Sequence, residues 1–434
     1  MKTDSIAPGS VATVSAVAAP ASESAAVLTG KEPRRPRRYA LPRHIAFAGL
    51  ALVFVALLAA AAAPSPFFVL YQAAWGFPSW LLSFAFAIYA VTLLGTLLTV
   101  GSLSDYIGRR PVLIGALIVE AIAMALFVFA PNIETVVVAR AIQGIATGAA
   151  TGAVSAALTD MAPARNRALG AVIGGLAPFG GLAVGAILAG VVIQAAADPV
   201  VLTFLTLATV FVLGAIFIAL APESVSARKG ALRSLVPHVA VPLRARGEFW
   251  SAVPVYLAGW MTGGLFLGLV PEILRDSFHI DSGIVSGGVI AVLSAIATLS
   301  VFLSRRVAAR TVIIVGSMAL VVGIAAVAGS ILLGVFALFW IGTMIAGVGF
   351  GMGFAGEIRV TAPLAQPHER GELFAAIYVV AYLSFGVPAI IAGAVVGVFH
   401  LVPTVITYAL IVVASAAVGA VVQSRRARRQ SVSD

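Results

Sequence analysis

The chain contains no cysteine, which excludes a disulfide framework and any thiolate metal site. Charge is also scarce, since charged residues make up only 10% of the 434 residues and hydrophobic residues make up 61%. A soluble domain must cover itself with polar side chains, so this balance excludes one. The sequence also lacks a G-x-S-x-G elbow, a phosphate-binding loop and metal-ligand spacing, and its five histidines are scattered. We therefore expect no enzyme, no cofactor and no metal.

Long apolar runs are what the sequence has in abundance. About 20 apolar residues span the roughly 30 Å of a bilayer core, and runs of this length must be helices because barrel strands are about half as long. The runs lie at 44–64, 80–100, 112–130, 133–159, 169–193, 200–221, 249–271, 283–304, 311–332, 335–358, 371–397 and 402–422. The predicted fold is an all-α integral membrane protein with twelve transmembrane helices in two six-helix halves.

These runs also set the predicted domain boundaries. We expect a disordered basic tail at 1–43, an N-terminal half at 44–221, a central loop at 222–248, a C-terminal half at 249–422 and a basic tail at 423–434. Of the 27 lysines and arginines, 24 fall in the tails and in loops on one side, so both termini and the central loop are predicted to be cytoplasmic. The net charge of +10 is dispersed over that face, which favours anionic lipid over nucleic acid as a partner.

One polar decapeptide interrupts the apolar runs, at residues 101–110, and is called the signature loop below. Its pattern, Gly-x-Leu-x-Asp-x-x-Gly-Arg-Arg, resembles the loop between helices two and three of the major facilitator superfamily of secondary transporters. That resemblance implies two six-helix halves with nested inverted repeats, and a cytoplasmic gate that holds the halves together until the cavity opens inward. Asp160 follows on the same face, and it either shares the gate arginine or is an ordinary helix end. The implied gate residues are Gly101, Asp105, Gly108, Arg109, Arg110 and Asp160.

Two charged residues lie well inside the predicted helices, away from the helix ends, and they are Glu120 and Arg140. A charge at this depth costs several kcal/mol unless it is paired or hydrated, so both should face the interior and could pair with each other. Arg140 opens a segment with Gln143 that resembles the fourth-helix motif of the family. The pair either carries a proton during transport or is a permanent structural ion pair.

The fifth predicted helix contains a glycine run around a proline, which favours close helix contact and a bend. It resembles the antiport motif of drug-efflux members, although Ala177 stands where a glycine would precede the proline. This resemblance favours export. The residues concerned are Gly174, Pro178, Gly180 and Gly181.

The central helices offer aromatic and aliphatic side chains with almost no fixed charge, which suits an apolar or amphipathic organic substrate. The alternative for each aromatic residue is helix packing or an interface belt. The candidates for the cavity are Phe67, Tyr89, Gln143, Trp260, Phe350, Phe354, Tyr378 and Tyr382.

Together these features predict a proton-coupled exporter in a bacterial cytoplasmic membrane that works by alternating access. We expect it to function as a monomer, with lipid, protons and a small organic compound as its partners. Import of an organic metabolite is the alternative, and a sensor or scaffold that does not transport is a further one.

Overall fold

The computed structural model describes residues 41–366 and 369–433, so the disorder predicted for the tail at 1–43 falls almost wholly outside the described residues. Within the described residues there is no β-strand, which confirms the all-helical fold. The α-helices are α1 (Arg43–Ala62), α2 (Pro64–Trp75), α3 (Ser79–Val100), α4 (Ser104–Ile107), α5 (Arg109–Val128), α6 (Ile133–Met161), α7 (Ala168–Ala195), α8 (Pro199–Leu220), α9 (Arg246–Gly268), α10 (Val270–Phe278), α11 (Gly283–Ser304), α12 (Ala309–Leu333), α13 (Phe336–Thr361), α14 (Arg370–Phe399) and α15 (Leu401–Ser433).

The predicted number of membrane spans is confirmed for the part of the chain that the structure describes. Eleven helical segments there are long and apolar enough to cross a bilayer, with α1 and α2 together forming one of them. A bent pair gives the twelfth, because Leu243–Gly268 and Val270–Phe278 meet at 61°. Helices α1–α8 form the N-terminal half and helices α9–α15 form the C-terminal half.

Several span boundaries differ from the predicted ones. The first span runs on to Trp75 as α2 instead of ending at 64, and α9 begins at Arg246 inside the predicted loop 222–248. The segment 423–433, predicted as a tail, continues α15 as a helix. Arg426 explains part of this extension, because it donates to the carbonyl of Gly247 at 2.6 Å and pairs with Glu248 at 3.0 Å.

Prolines break the first and seventh spans, and each break leaves a backbone carbonyl without its helical donor. Pro64 has no N–H to give to the carbonyl of Ala60, four residues earlier, and Pro271 has none to give to Leu267. A side chain from elsewhere replaces the missing donor in each case. Gln143 Nε2 donates to Ala60 at 2.9 Å, and the hydroxyl of Ser65 donates to Leu267. At each break, the carbonyl without a helical donor is therefore hydrogen-bonded by a side chain of another helix.

The two halves meet along a line that we call the seam, formed by α7 against α11 at the end remote from the signature loop. An added Cβ on Gly190 would lie 2.3 Å from the carbonyl oxygen of Gly283, and one on Gly287 would lie 2.2 Å from that of Ala186. The seam carries polar contacts too, since the side-chain oxygens of Ser282 and Gln194 are 3.1 Å apart. Small residues thus allow the two halves to touch backbone to backbone at this end.

Candidate functional site

A cavity of about 310 Å³ lies between the two halves. It extends to the ends of α6 and α13 that face the signature loop, where Thr159 and Ile358 line it. The seam closes the opposite end, whereas Thr159 is exposed, so the cavity reaches the surface at the signature-loop end. Six of the eight predicted cavity residues line it: Tyr89, Trp260, Phe350, Phe354, Tyr378 and Tyr382.

The other two predicted cavity residues lie elsewhere. Phe67 is fully buried and packs against Phe204 with ring centroids 5.2 Å apart, so it belongs to the core of the N-terminal half. Gln143 is also fully buried and uses its amide to connect other side chains. Sequence reasoning missed Phe86 and Phe385, which pack on each other across the two halves at 4.8 Å and line the cavity.

Arg140 lines the cavity and is held by groups from three helices of the N-terminal half, its own helix included. One guanidinium nitrogen donates to the carbonyl of Ala61 at 3.2 Å and to Oε1 of Gln143 at 2.6 Å. Its Cζ lies 4.2 Å from the centre of the Tyr89 ring, a cation–π distance. The Pro64 break contributes to this site by leaving the carbonyl of Ala60 for Gln143 to bind.

Glu120 is connected to Arg140 through Gln143, and the direct pair that the sequence allows does not form. Among the described residues no ion pair joins the two charges. Gln143 Nε2 donates to one oxygen of Glu120 at 3.2 Å, and the hydroxyl of Thr147 donates to the other at 3.3 Å. The physical reason is the reach of Gln143, which lies one helical turn from Arg140 and fills the space between the charges. The N-terminal half thus contains a chain of three side chains from a buried carboxylate to a cavity-lining arginine.

The signature loop forms the predicted acid–arginine cluster. Arg109 pairs with Asp105 at 2.5 Å and with Asp160 at 3.4 Å, and it donates to the hydroxyl of Ser104 at 2.7 Å. These partners all belong to the N-terminal half. The geometry is that of a loop fastened to its own half while the cavity is open beside it.

Glu223, which sequence reasoning missed, fixes the start of α5. Its carboxylate accepts the backbone N–H of Arg109 at 2.9 Å and that of Arg110 at 3.0 Å, so an acid lies at the positive end of the helix. Gly108 permits this approach, because its φ of 105° suits glycine and an added Cβ would lie 2.7 Å from Glu223 Oε2. Arg110 also donates to the carbonyl of Ile218 at 3.2 Å. Gly101 meets α6, where an added Cβ on Gly152 would lie 3.2 Å from the Gly101 carbonyl.

The glycine–proline stretch of α7 has two different surroundings. Gly174 and Pro178 line the cavity, whereas an added Cβ on Gly181 would lie 2.6 Å from the carbonyl of Val55 in α1. Gly180 has open space beside it. Close packing therefore occurs at Gly181, and it continues at Gly185, where the same distance to Ala59 is 2.0 Å.

A second polar cluster lies in the C-terminal half near the signature-loop end, and sequence reasoning did not assemble it. Arg310 pairs with Glu248 at 2.6 Å and donates to Gln423 Oε1 at 2.5 Å. Gln423 Nε2 in turn donates to the buried Glu357 at 2.8 Å. The only available sequence signal was the presence of these polar residues near helix ends. The cluster ties α9, α12, α13 and α15 together.

Replacing Asp105 tests the gate assignment. We expect Asp105→Asn to lower the transport rate about fivefold and to leave the melting temperature nearly unchanged. The reason is the loss of one partly exposed, charge-assisted bond to Arg109, which is worth about 1 kcal/mol. Radiolabelled substrate exchange in proteoliposomes measures the rate. Asp198→Asn is the matched control, because Asp198 caps α8 by accepting the N–H of Val201 at 3.0 Å and asparagine caps equally well. Unchanged transport by Asp105→Asn at normal expression would show that the assignment is wrong.

The chain matches known proteins in sequence and in structure. The family model of the Major Facilitator Superfamily matches residues 50–387. A multidrug transporter of that superfamily from Aspergillus fumigatus, mfsB, is 56% identical over 48 residues, which are 11% of this chain and 8% of that protein. The inner membrane transport protein YajR of Escherichia coli is 36% identical over 87 residues, 20% of this chain and 19% of that protein. The matched segments thus span less than a fifth of either relative.

A solved structure extends the likeness over most of the chain. It is that of a bacterial homologue of the human lysosomal transporter Spinster, in an inward-facing and unoccupied conformation, and the TM-score is 0.71. The match has 14% sequence identity and covers 90% of this chain and 98% of that one, which shows a shared fold. Because the family model matches more than half of this chain, this multi-pass membrane protein belongs to the Major Facilitator Superfamily.

Proposed function

We propose that the protein exports small hydrophobic or amphipathic organic compounds in exchange for protons, by alternating access. It works as a monomer in a bacterial cytoplasmic membrane, with the signature-loop end in the cytoplasm. Its partners are membrane lipid, protons and one organic substrate, without nucleic acid, and it transports its substrate without catalysing a reaction.

The observation that carries this proposal is the polar chain from Glu120 through Gln143 to Arg140. Within the described part of the N-terminal half, residues 41–221, Glu120 is the only buried acid. Its carboxylate can bind and release a proton inside the membrane-spanning region. Gln143 and Arg140 connect it to the cavity. A substrate that displaces or reorients Arg140 alters the charge environment of Glu120 through one intervening amide. Proton binding and substrate binding are thereby coupled over a short distance.

Three further features support the proposal. The cavity opens at the end where the basic loops cluster, the predicted cytoplasmic side, so it is arranged to take up a compound from the cell. Its walls are largely aromatic and aliphatic, which favours partitioning of hydrophobic molecules. The glycine–proline stretch of α7, which resembles the antiport motif, forms part of that wall at Gly174 and Pro178.

Proton exchange on substrate binding distinguishes the two directions of coupling. Purified protein in a lightly buffered detergent solution is mixed with a neutral compound such as chloramphenicol, an anion such as 1-naphthoate or a cation such as ethidium, while a soluble pH dye is recorded. Proton release by a compound that also binds is expected for an antiporter, because substrate and proton then exclude each other. Proton uptake on binding would instead support the importer. Binding without any proton exchange would contradict proton coupling altogether.

A further inference from the structure

The cavity has an unusual balance of polar groups, which bears on the charge of its substrate. Among the described residues that line it, none is Asp or Glu, and Arg140 is the one charged side chain. Three described acids are buried, Glu120, Glu272 and Glu357, and none of them lines the cavity. A positively charged compound therefore finds no carboxylate within the cavity.

Two of the lining side chains hold buried N–H donors without an acceptor in the described part of the chain. They are Nε of Arg140, from the N-terminal half, and Nε1 of Trp260, from the C-terminal half. Both groups can only donate, and a buried donor left unsatisfied costs about 1–3 kcal/mol. Arg140 is 1% exposed, so bulk water does not relieve this cost in the observed state. Two cavity-lining side chains thus each hold a covered donor that the observed state leaves without a hydrogen bond.

Aromatic rings surround these donors. Tyr89 covers Arg140, and the Trp260 ring lies 5.0 Å from Tyr382, 5.5 Å from Phe354 and 5.9 Å from Phe385 between centroids. Such faces and edges are suited to a flat ring, since aromatic pairs at 4.5–7 Å gain about 0.5–1.5 kcal/mol beyond burial. Because the rings come from both halves, a flat ligand would contact the two halves together.

The net charge of the polar chain decides between neutral and charged ligands. When Glu120 is deprotonated, as it is on substrate binding in the proposed exchange, Arg140 and Glu120 sum to zero, and Gln143 keeps them connected. A ligand carboxylate or ammonium would add an uncompensated charge inside the membrane, which is costly in either sign. An ammonium is the worse of the two, because it would meet the guanidinium while Glu120 stays shielded behind Gln143.

We propose that the cavity selects uncharged aromatic compounds that carry a hydrogen-bond-accepting oxygen, such as an aryl ketone, and discriminates against organic cations. The acceptor oxygen binds Arg140 or Trp260 N–H, and the ring lies against Tyr382 and Phe385. This assignment rests on the proposed function in taking the cavity as the transport site and Glu120 as deprotonated when substrate binds.

Equilibrium dialysis with four naphthalene compounds of matched ring tests the proposal. The probes are 2-acetylnaphthalene, naphthalene, 2-naphthoate and 2-naphthylmethylammonium, each measured against purified full-length protein in matched detergent. We expect 2-acetylnaphthalene to bind about tenfold more tightly than naphthalene and than either charged compound, which is the effect of one satisfied buried donor. The ammonium should bind most weakly.

Two variants locate the effect. Trp260→Phe keeps a ring but removes the donor, so it should reduce the advantage of the ketone over naphthalene several-fold. Trp340→Phe is the matched control, because Trp340 packs on Phe336 with centroids 6.1 Å apart and does not line the cavity, and it should leave the advantage unchanged. The proposal is overturned if a charged compound binds most tightly, if ketone and naphthalene bind equally, or if the ketone does not bind. None of these results bears on proton exchange, which the pH-dye experiment reads separately.

Discussion

Glu120→Gln is expected to reduce uphill transport driven by a pH gradient to the level of protein-free liposomes, while downhill exchange of substrate continues. A glutamine side chain can still accept the hydrogen bond from Gln143 through its amide oxygen, and its NH2 group can donate to the Thr147 hydroxyl, so the helices stay packed. What it cannot do is bind and release a proton. Accumulation of substrate in proteoliposomes with an imposed pH gradient, compared with exchange at equal pH, separates the two activities.

The control for this variant is Glu134→Gln, which changes an exposed acid at the start of the neighbouring helix α6 and should leave both activities intact. If Glu120→Gln still accumulates substrate against its gradient, Glu120 is a structural residue and proton coupling must be sought elsewhere. Loss of both activities together with a lower melting temperature would point to a packing role and would likewise count against a proton carrier.

Gly287→Ala is expected to force the two halves apart at the seam. The new methyl would lie 2.2 Å from the carbonyl oxygen of Ala186, a backbone atom that cannot turn aside. Overpacking of this kind costs about 1–3 kcal/mol, so the melting temperature should fall and the state that is closed at the seam should lose population. Because the chain has no cysteine, the pair Gln194→Cys with Ser282→Cys can report the seam by thiol cross-linking, and its yield should fall in the Gly287→Ala background.

The adjacent glycine provides the control. An added Cβ on Gly288 would have Trp340 as its nearest neighbour at 3.5 Å, which is an ordinary contact, so Gly288→Ala should leave melting and cross-linking unchanged. Equal behaviour of the two variants would show that the seam does not depend on close backbone contact.

The fold could be predicted because its main determinant is local and periodic. Apolar runs of membrane-spanning length dictate helices wherever backbone groups meet lipid, and this holds whatever the neighbours are. The predicted helix boundaries were wrong where tertiary contacts extend a helix. Arg426 donates to the carbonyl of Gly247, and α15 continues through the segment that was predicted as a tail. Such a contact joins residues far apart in the sequence and leaves no periodic signal.

The candidate site was predictable in its residues more than in its connections. The cost of membrane-embedded charge singled out Glu120 and Arg140, and the structure places them on one polar chain. Placing Gln143 between them requires side-chain geometry, which spacing alone does not give. Phe67 was predicted to line the cavity but packs in the core. An aromatic residue on a central helix can face either place, and the sequence looks the same in both cases.

The closure of only one end of the cavity also determines where the electrical potential of the membrane falls. Once water fills the open side, the low-dielectric barrier shrinks to the layer between Arg140 and the seam end, about 10 Å at 1.5 Å per residue from the start of α6. Nearly the whole voltage then drops across that layer, at about 2.3 kcal/mol per elementary charge for each 100 mV. In the proposed cycle the barrier moves to the other side of both Glu120 and Arg140, so the connected chain crosses most of the field as a neutral pair when Glu120 is ionised and with one positive charge when it is protonated. Membrane voltage, as well as the pH gradient, should therefore drive the step of the proposed cycle in which Glu120 is protonated.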